Sequence, residues 1–166
     1  LVRDMGLVIF FAPVAWALIL GGFAIFAVEA YARRLPPSDA LTWRVAFWVG
    51  MGQILAAVFP GTSRSAATIF AAMLAGMTSR PAAAEFAFLV GIPTMFAATA
   101  YEAFELHRSG GMASENWTEY AVGFVVSAAV AFVAVKWLLR YVQTHSFNPF
   151  GWYRIALGLA LLAIVD

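Results

Sequence analysis

Apolar residues run along this chain in long unbroken stretches, and the polar positions between them set its elements. Met5 to Val28 is 24 residues without a charge. That exceeds the ~20 residues a helix needs to cross hydrocarbon, so a transmembrane helix is expected over residues 5–33, ended by Arg33, Arg34, Pro36 and Pro37. Ser38-Asp39 then offers an N-cap for a helix starting near Leu41. The next apolar region, residues 41–78, is interrupted at Pro60-Gly61. Its arms, Leu41–Phe59 and Ser63–Met77, are short for full spans with both ends in water. Proline removes a donor and clashes with the preceding turn, so two half-length helices meeting at the break fit a re-entrant hairpin. Broken backbone at membrane depth is tolerated only where protein or a water-filled cavity covers it. Further transmembrane helices are expected over residues 81–106, 118–140 and 149–165, with Pro93 kinking the first of them and a polar loop, His107 to Glu119, after it. The expected fold class is thus an all-α integral membrane protein of one domain, with four transmembrane helices and one re-entrant hairpin.

Composition strengthens this reading. The chain has 166 residues, 63% hydrophobic and only 11% charged, where a soluble domain carries about 25% charged residues. Net charge is +1, so no basic surface points to nucleic acid. Cysteine is absent, which excludes a disulfide framework and a thiolate metal site. The chain opens on Leu1 without a basic n-region and cleavage site, and it is read as part of a longer sequence. Charge also orients the spans. If the hairpin returns to its own side, that side receives Arg33, Arg34, Arg44, Arg80, Lys136 and Arg140, against Arg3 and Arg108 opposite. The positive-inside rule places the richer side in the cytoplasm.

The candidate chemistry lies at the break. Residues 60–68 read Pro-Gly-Thr-Ser-Arg-Ser-Ala-Ala-Thr, and Arg64 is the only charged residue from Val45 to Ser79. A charge deep in a bilayer costs at least ~2.5–3.5 kcal/mol, and cation plus hydroxyls suits a phosphate. If the second arm starts near Ser63, its free N–H groups and positive dipole end add to that cradle. Thr68 falls on the face of Arg64. Gly61 allows close backbone approach, and Ser63 either caps the helix or contacts substrate. Gln53, inside the first arm, either contacts a phosphate or bonds a neighbouring helix. Glu29, Glu85 and Glu102 lie near span ends, where metal ligation, proton acceptance and simple pairing stay open. Tyr153 and Arg154 are expected to anchor at the cytoplasmic interface. His107 and His145 stand alone, so no metal-ligand spacing is present.

The segment Pro60 to Thr68 resembles the PGxSRSxxT signature of bacterial undecaprenyl-diphosphate phosphatases, the bacitracin-resistance family. Gly50-Met51-Gly52-Gln53-Ile54-Leu55-Ala56 is similar to the approach to that signature, and Glu85-Phe86-Ala87-Phe88-Leu89-Val90-Gly91-Ile92-Pro93 to the segment after it. Phe147-Asn148-Pro149-Phe150 and Tyr153-Arg154 are similar to the family's C-terminal end. The resemblance implies a multi-pass enzyme of the bacterial inner membrane that hydrolyses undecaprenyl diphosphate to undecaprenyl phosphate and inorganic phosphate. It implies a role in lipid-carrier recycling for peptidoglycan synthesis, an active site open to the periplasmic or outer side, and support by Mg2+ or Ca2+. It also implies a fold of two inverted repeats, a general membrane architecture. Carried over, Arg64 holds the diphosphate and stabilises developing charge. Ser63 is a candidate nucleophile or phosphate contact, with metal-activated water equally open. Gly61, Thr62, Ser65, Thr68 and, more weakly, Gln53 are candidate substrate-binding residues.

The chain departs from the family in lacking its other motif, two glutamates four apart followed by a Ser-Ser-Thr-Gly-His run. It therefore corresponds to the last span of the first repeat and all of the second. Gln53 and Ala57 occupy the pseudo-symmetric positions of the missing glutamates, so no metal ligands are expected in this chain and the chain alone is expected to be inactive. The partners implied are the undecaprenyl lipid and the membrane, with a homo-oligomer also open. The alternatives are a polyprenyl-phosphate transporter or flippase, since transporters use the same geometry to hold anions, and a structural or assembly subunit.

Overall fold

The computed structural model describes residues 2–110 and 116–165. Helices α1 (Val2–Ala32), α2 (Trp43–Val58), α3 (Arg64–Ala75), α4 (Arg80–Arg108), α5 (Trp117–Thr144) and α6 (Asn148–Val165) account for nearly all of it. Three of them are long and apolar enough to cross a membrane: Phe11–Ala32 of α1, then α4 and α5. The pair α2 and α3 is apolar but shorter. α4 runs unbroken through Pro93, and α5 continues one turn past the expected end at Arg140. Part of the expected polar loop, residues 111–115, lies outside the described residues.

The start of α2 differs from the sequence expectation. Ser38-Asp39 does not cap it. Thr42 does, its Oγ1 accepting the Val45 N–H at 3.3 Å, while Ser38 Oγ accepts only from Ala40 N–H. Pro36 and Pro37 disfavour helix at Leu35 and Pro36, the chain stays non-helical through Thr42, and α2 begins behind that extended threonine.

Small residues bring the helices close. α1 and α6 pack antiparallel: Phe26 meets Trp152 with ring centroids 5.1 Å apart, and lower on α1 a Cβ at Gly22 would stand 2.8 Å from the Gly151 carbonyl oxygen. α2 crosses α3 where a Cβ at Gly52 would stand 3.0 Å from the Ala67 carbonyl oxygen. Membrane helices lack a hydrophobic drive toward one another, so van der Waals contact through such small surfaces supplies the attraction. Val45, Val49, Ile69, Ala72, Met73, Ala83, Ala84 and Val142 form the buried centre. The opposite case is α5, whose Phe124, Val125, Phe132 and Val133 are all exposed. An apolar face of that extent suits a hydrocarbon solvent.

Both ends of the α2–α3 pair return to one end of the bundle. The segment entering α2 and the segment leaving α3 are tied together: Ser79 N–H donates to the Ser38 carbonyl at 3.1 Å, and Thr78 Oγ1 to the Pro36 carbonyl at 2.6 Å. Glu29 secures the same end. Its carboxylate is 1% exposed and accepts from Arg80 Nε (2.9 Å) and Nη2 (2.7 Å) and from the Phe147 backbone N–H (2.8 Å). One side chain thereby joins α1, α4 and the entry to α6. Of the readings left open for Glu29, the structure supports pairing.

Candidate active site at the Pro60–Thr68 segment

The turn between α2 and α3 is built by its sequence. Thr62 N–H donates to the Phe59 carbonyl at 3.2 Å, and Gly61 has φ +84. Proline second and a positive-φ glycine third are the requirements of a type II turn. The turn abuts α1 so closely that a Cβ at Gly61 would stand 2.9 Å from Val14 Cα. Glycine is required here both for its dihedral and for its lack of a side chain.

Ser63 then caps α3. Its backbone is extended, its Oγ accepts the Ala66 N–H at 3.3 Å and its carbonyl accepts the Ala67 N–H at 2.9 Å. The first helical amides otherwise lack partners. With Ala66 satisfied, those of Arg64 and Ser65 remain for a ligand. Ser63 Oγ also lies 3.2 Å from Ser65 Oγ, either hydroxyl being able to donate.

Gln53 of α2, Arg64, Ser65 and Thr68 of α3, and Ala87, Phe88 and Gly91 of α4 line a cavity of about 280 Å³. Four sequence-derived candidates thus converge on one space. Gly61, Thr62 and Ser63 are not in its wall; they form the turn and cap behind it. Among the described residues no carboxylate pairs with Arg64, so its fork is available to an anion. Thr68 is 2% exposed, and its single hydroxyl proton is directed at the Arg64 and Ser65 carbonyls, 2.9 and 3.0 Å away. It can accept a further hydrogen bond but not donate one, and an anion needs donors.

Sequence reasoning missed one residue here and gave another a different role. Thr94 of α4 places its Oγ1 3.0 Å from Gln53 Oε1 and 2.9 Å from the Gly91 carbonyl, which seats the Gln53 amide between neighbouring helix and cavity. A hydroxyl one residue after Pro93 in an apolar stretch of helix was the available signal. The other is Arg154, expected as an interface anchor: its Nη2 donates to the Gly61 and Ala17 carbonyls at 3.2 and 3.3 Å. A single charge one turn inside a span carries no sign of which backbone it will meet. Tyr153 beside it is exposed.

The cavity wall contains no carboxylate, imidazole or thiolate. Among the described residues no three His, Asp or Glu side chains approach closely enough to hold a metal ion; Glu85 and Glu102 are exposed on α4. These residues do not fit a divalent cation, and no chemistry is derived through one.

Comparison with known proteins gives the arrangement its context. The chain is 57% identical over 150 residues to an undecaprenyl-diphosphatase of Xylella fastidiosa (strain Temecula1 / ATCC 700964), covering 90% of this chain and 58% of that protein. It is 57% identical over 152 residues to an undecaprenyl-diphosphatase of Rhizobium johnstonii, covering 92% and 57%. Another, from Xanthomonas campestris pv. campestris (strain 8004), is 54% identical over 150 residues, covering 90% and 57%. The chain therefore spans 57–58% of the length of these curated relatives. The model of the bacitracin resistance protein BacA family matches residues 5–160, which contain every residue of the cavity wall, and the chain belongs to that family.

Proposed function

We propose that this chain supplies the arginine half of a membrane site that hydrolyses undecaprenyl diphosphate to undecaprenyl phosphate and inorganic phosphate, in lipid-carrier recycling and bacitracin resistance. The observation that carries the reading is Arg64, with no carboxylate partner among the described residues, on a cavity shared with Gln53 and Ser65 at the amino end of α3. The guanidinium and the amides of Arg64 and Ser65 bind phosphate oxygens, and Ser65 Oγ and the Gln53 amide add neutral donors. As charge develops on the transferred phosphoryl group, these fixed donors stabilise it. Thr68 holds the first turn of α3 and so orients Arg64. Ser63 sets the start of the helix.

In this reading α1, α4, α5 and α6 span the bacterial inner membrane and α2–α3 is a re-entrant hairpin entering from the cytoplasmic side. The tie between residues 36–38 and 78–79 at one end, and the packing of the turn on Val14 and Ala17 within α1, support that arrangement. The site then opens outward, where the lipid diphosphate is presented. Mg2+ or Ca2+, where used, takes its ligands from the remaining length of the relatives, and the chain alone is inactive.

The test is phosphate release from undecaprenyl diphosphate in magnesium, comparing this chain with a chimaera that adds the region the relatives possess beyond it. Activity only in the chimaera, abolished by Arg64→Ala, is expected. Undiminished turnover in Arg64→Ala would overturn the assignment, and lipid translocation across liposomes without phosphate release would replace it with transport.

A further inference from the structure

We propose that Arg154 is a positioning residue for the anion site, acting as a clasp that fixes the Pro60-Gly61 turn against α1. This rests on the reading of Arg64 as the phosphate-binding group. The Arg154 guanidinium comes from α6, yet one of its nitrogens, Nη2, reaches carbonyls of two other elements: Ala17 on α1 at 3.3 Å and Gly61 in the turn at 3.2 Å. Nothing else polar joins the turn to α1 or α6 among the described residues. Space for the guanidinium is prepared by Gly21, where a Cβ would stand 2.7 Å from that same nitrogen.

The location excludes a simple anchoring role. Ala17 is fifteen residues before the end of α1 at Ala32, about 22 Å along a helix rising 1.5 Å per residue. An arginine seeking water extends toward the nearest interface; this one turns toward the break in the backbone. The physical need is evident. The Gly61–Thr62 peptide lies at membrane depth, its N–H committed to Phe59. Its carbonyl has no helical partner, and an unsatisfied carbonyl in such surroundings is costly. A charged donor held by two carbonyls satisfies it and restricts the turn. Gly61 precedes the cap Ser63 by two residues and Arg64 by three, so the restriction sets the direction of the first turn of α3. Without it, Arg64 samples orientations away from the Gln53 side of the cavity. The Arg154 Nε is buried with no partner, so the group is not placed for its own solvation; Nη2 alone carries the linkage.

The experiment uses the chain in lipid nanodiscs and, in parallel, the chimaera described above. Hydrogen–deuterium exchange is followed at the Phe59–Ala67 segment in the wild type, Arg154→Met, Arg154→Lys and Gly21→Ala. The last variant keeps the arginine but displaces its flexible end, so it tests the clasp without removing a charge. Loss of a hydrogen bond from a charged donor predicts about a tenfold or greater rise in exchange at Thr62 for Arg154→Met and Gly21→Ala. Arg154→Lys falls between these and the wild type. Exchange at the Glu29–Arg80 end stays as in the wild type. In the chimaera, kcat/KM for phosphate release falls in the same order. Unchanged exchange at Thr62 in both Arg154→Met and Gly21→Ala overturns the clasp, whatever the activity. A wild-type chimaera that releases no phosphate overturns the phosphatase reading alone, because the exchange result still decides the clasp.

Discussion

Arg80 holds both carboxylate oxygens of Glu29, Nε lying 2.9 Å from Oε1 and Nη2 2.7 Å from Oε2, across 51 residues of chain. The Phe147 N–H donates to Oε1 as well, and Arg33 Nε lies 3.9 Å from Oε2. Glu29 is almost fully buried while the Arg80 side chain keeps 29% exposure. Removing one partner of a fully buried pair costs ~3–5 kcal/mol; partial hydration of Arg80 lowers that to ~2–4 kcal/mol here. Glu29→Gln should therefore lower the thermal midpoint in detergent well beyond a surface substitution. Combining it with Arg80→Met should cost less than the two single changes added together, because they share one interaction. An unchanged midpoint in Glu29→Gln would contradict the pairing.

Gly61 and Gly76 separate dihedral strain from close packing. Both have positive φ, +84 and +122, but a Cβ at Gly61 would stand 2.9 Å from Val14 Cα, whereas one at Gly76 would meet nothing within 4 Å. Backbone at such positive φ costs a non-glycine residue on the order of 1–3 kcal/mol. Gly76→Ala should pay that and keep most phosphate release. Gly61→Ala adds a clash with backbone that cannot swing aside, which displaces the turn and with it Arg64. Phosphate release in the chimaera should then fall by more than tenfold, a loss of over ~1.4 kcal/mol in transition-state binding. Equal activity in the two variants would show that the turn tolerates movement.

The helices and the break between α2 and α3 were legible because their signals are local. Uncharged runs such as Met5–Val28 mark helices by length, and Pro60-Gly61 marks a break by backbone chemistry; both act within a few residues. The convergence of Gln53, Arg64, Ser65 and Thr68 was legible for the same reason, since three of them share the first turns of one helix. What escaped were contacts between remote segments. Arg154 and Gly61 are 93 residues apart and Gln53 and Thr94 are 41 apart, and helix packing alone decides that they meet. Glu29 was visible as a carboxylate near a span end, but Arg80 as its partner follows only from the return of α3 to that end. Thr42 displaced Ser38 as the cap because the chain from Ser38 to Leu41 stays non-helical and α2 begins at Trp43, two residues after the expected start.

Thr68 distinguishes a wall residue from a ligand. Its hydroxyl proton is engaged by the Arg64 and Ser65 carbonyls, so Thr68→Val removes no donor from the cavity. The change should cost on the order of 1 kcal/mol of stability through the buried hydroxyl and lower phosphate release only a few fold. Ser65→Ala, which removes an exposed hydroxyl beside Arg64, should raise KM for undecaprenyl diphosphate more than Thr68→Val does. The reverse order would mean that the Thr68 hydroxyl turns into the cavity when substrate binds.

Ser63 offers the sharpest decision about mechanism. A serine nucleophile needs an adjacent base, but the only side chain within hydrogen-bond distance of Ser63 Oγ among the described residues is Ser65, 3.2 Å away. The oxygen is meanwhile accepting the Ala66 N–H as the cap of α3. Asparagine caps helices as well as serine does, whereas alanine costs ~1 kcal/mol at such a position. If capping is the role of Ser63, Ser63→Asn in the chimaera should retain more phosphate release than Ser63→Ala, and both should exceed Arg64→Ala. If Ser63 is the nucleophile, Asn and Ala variants should be equally inactive and the wild type should accumulate a phosphoserine detectable by mass spectrometry. The geometry around Ala66 predicts the first order.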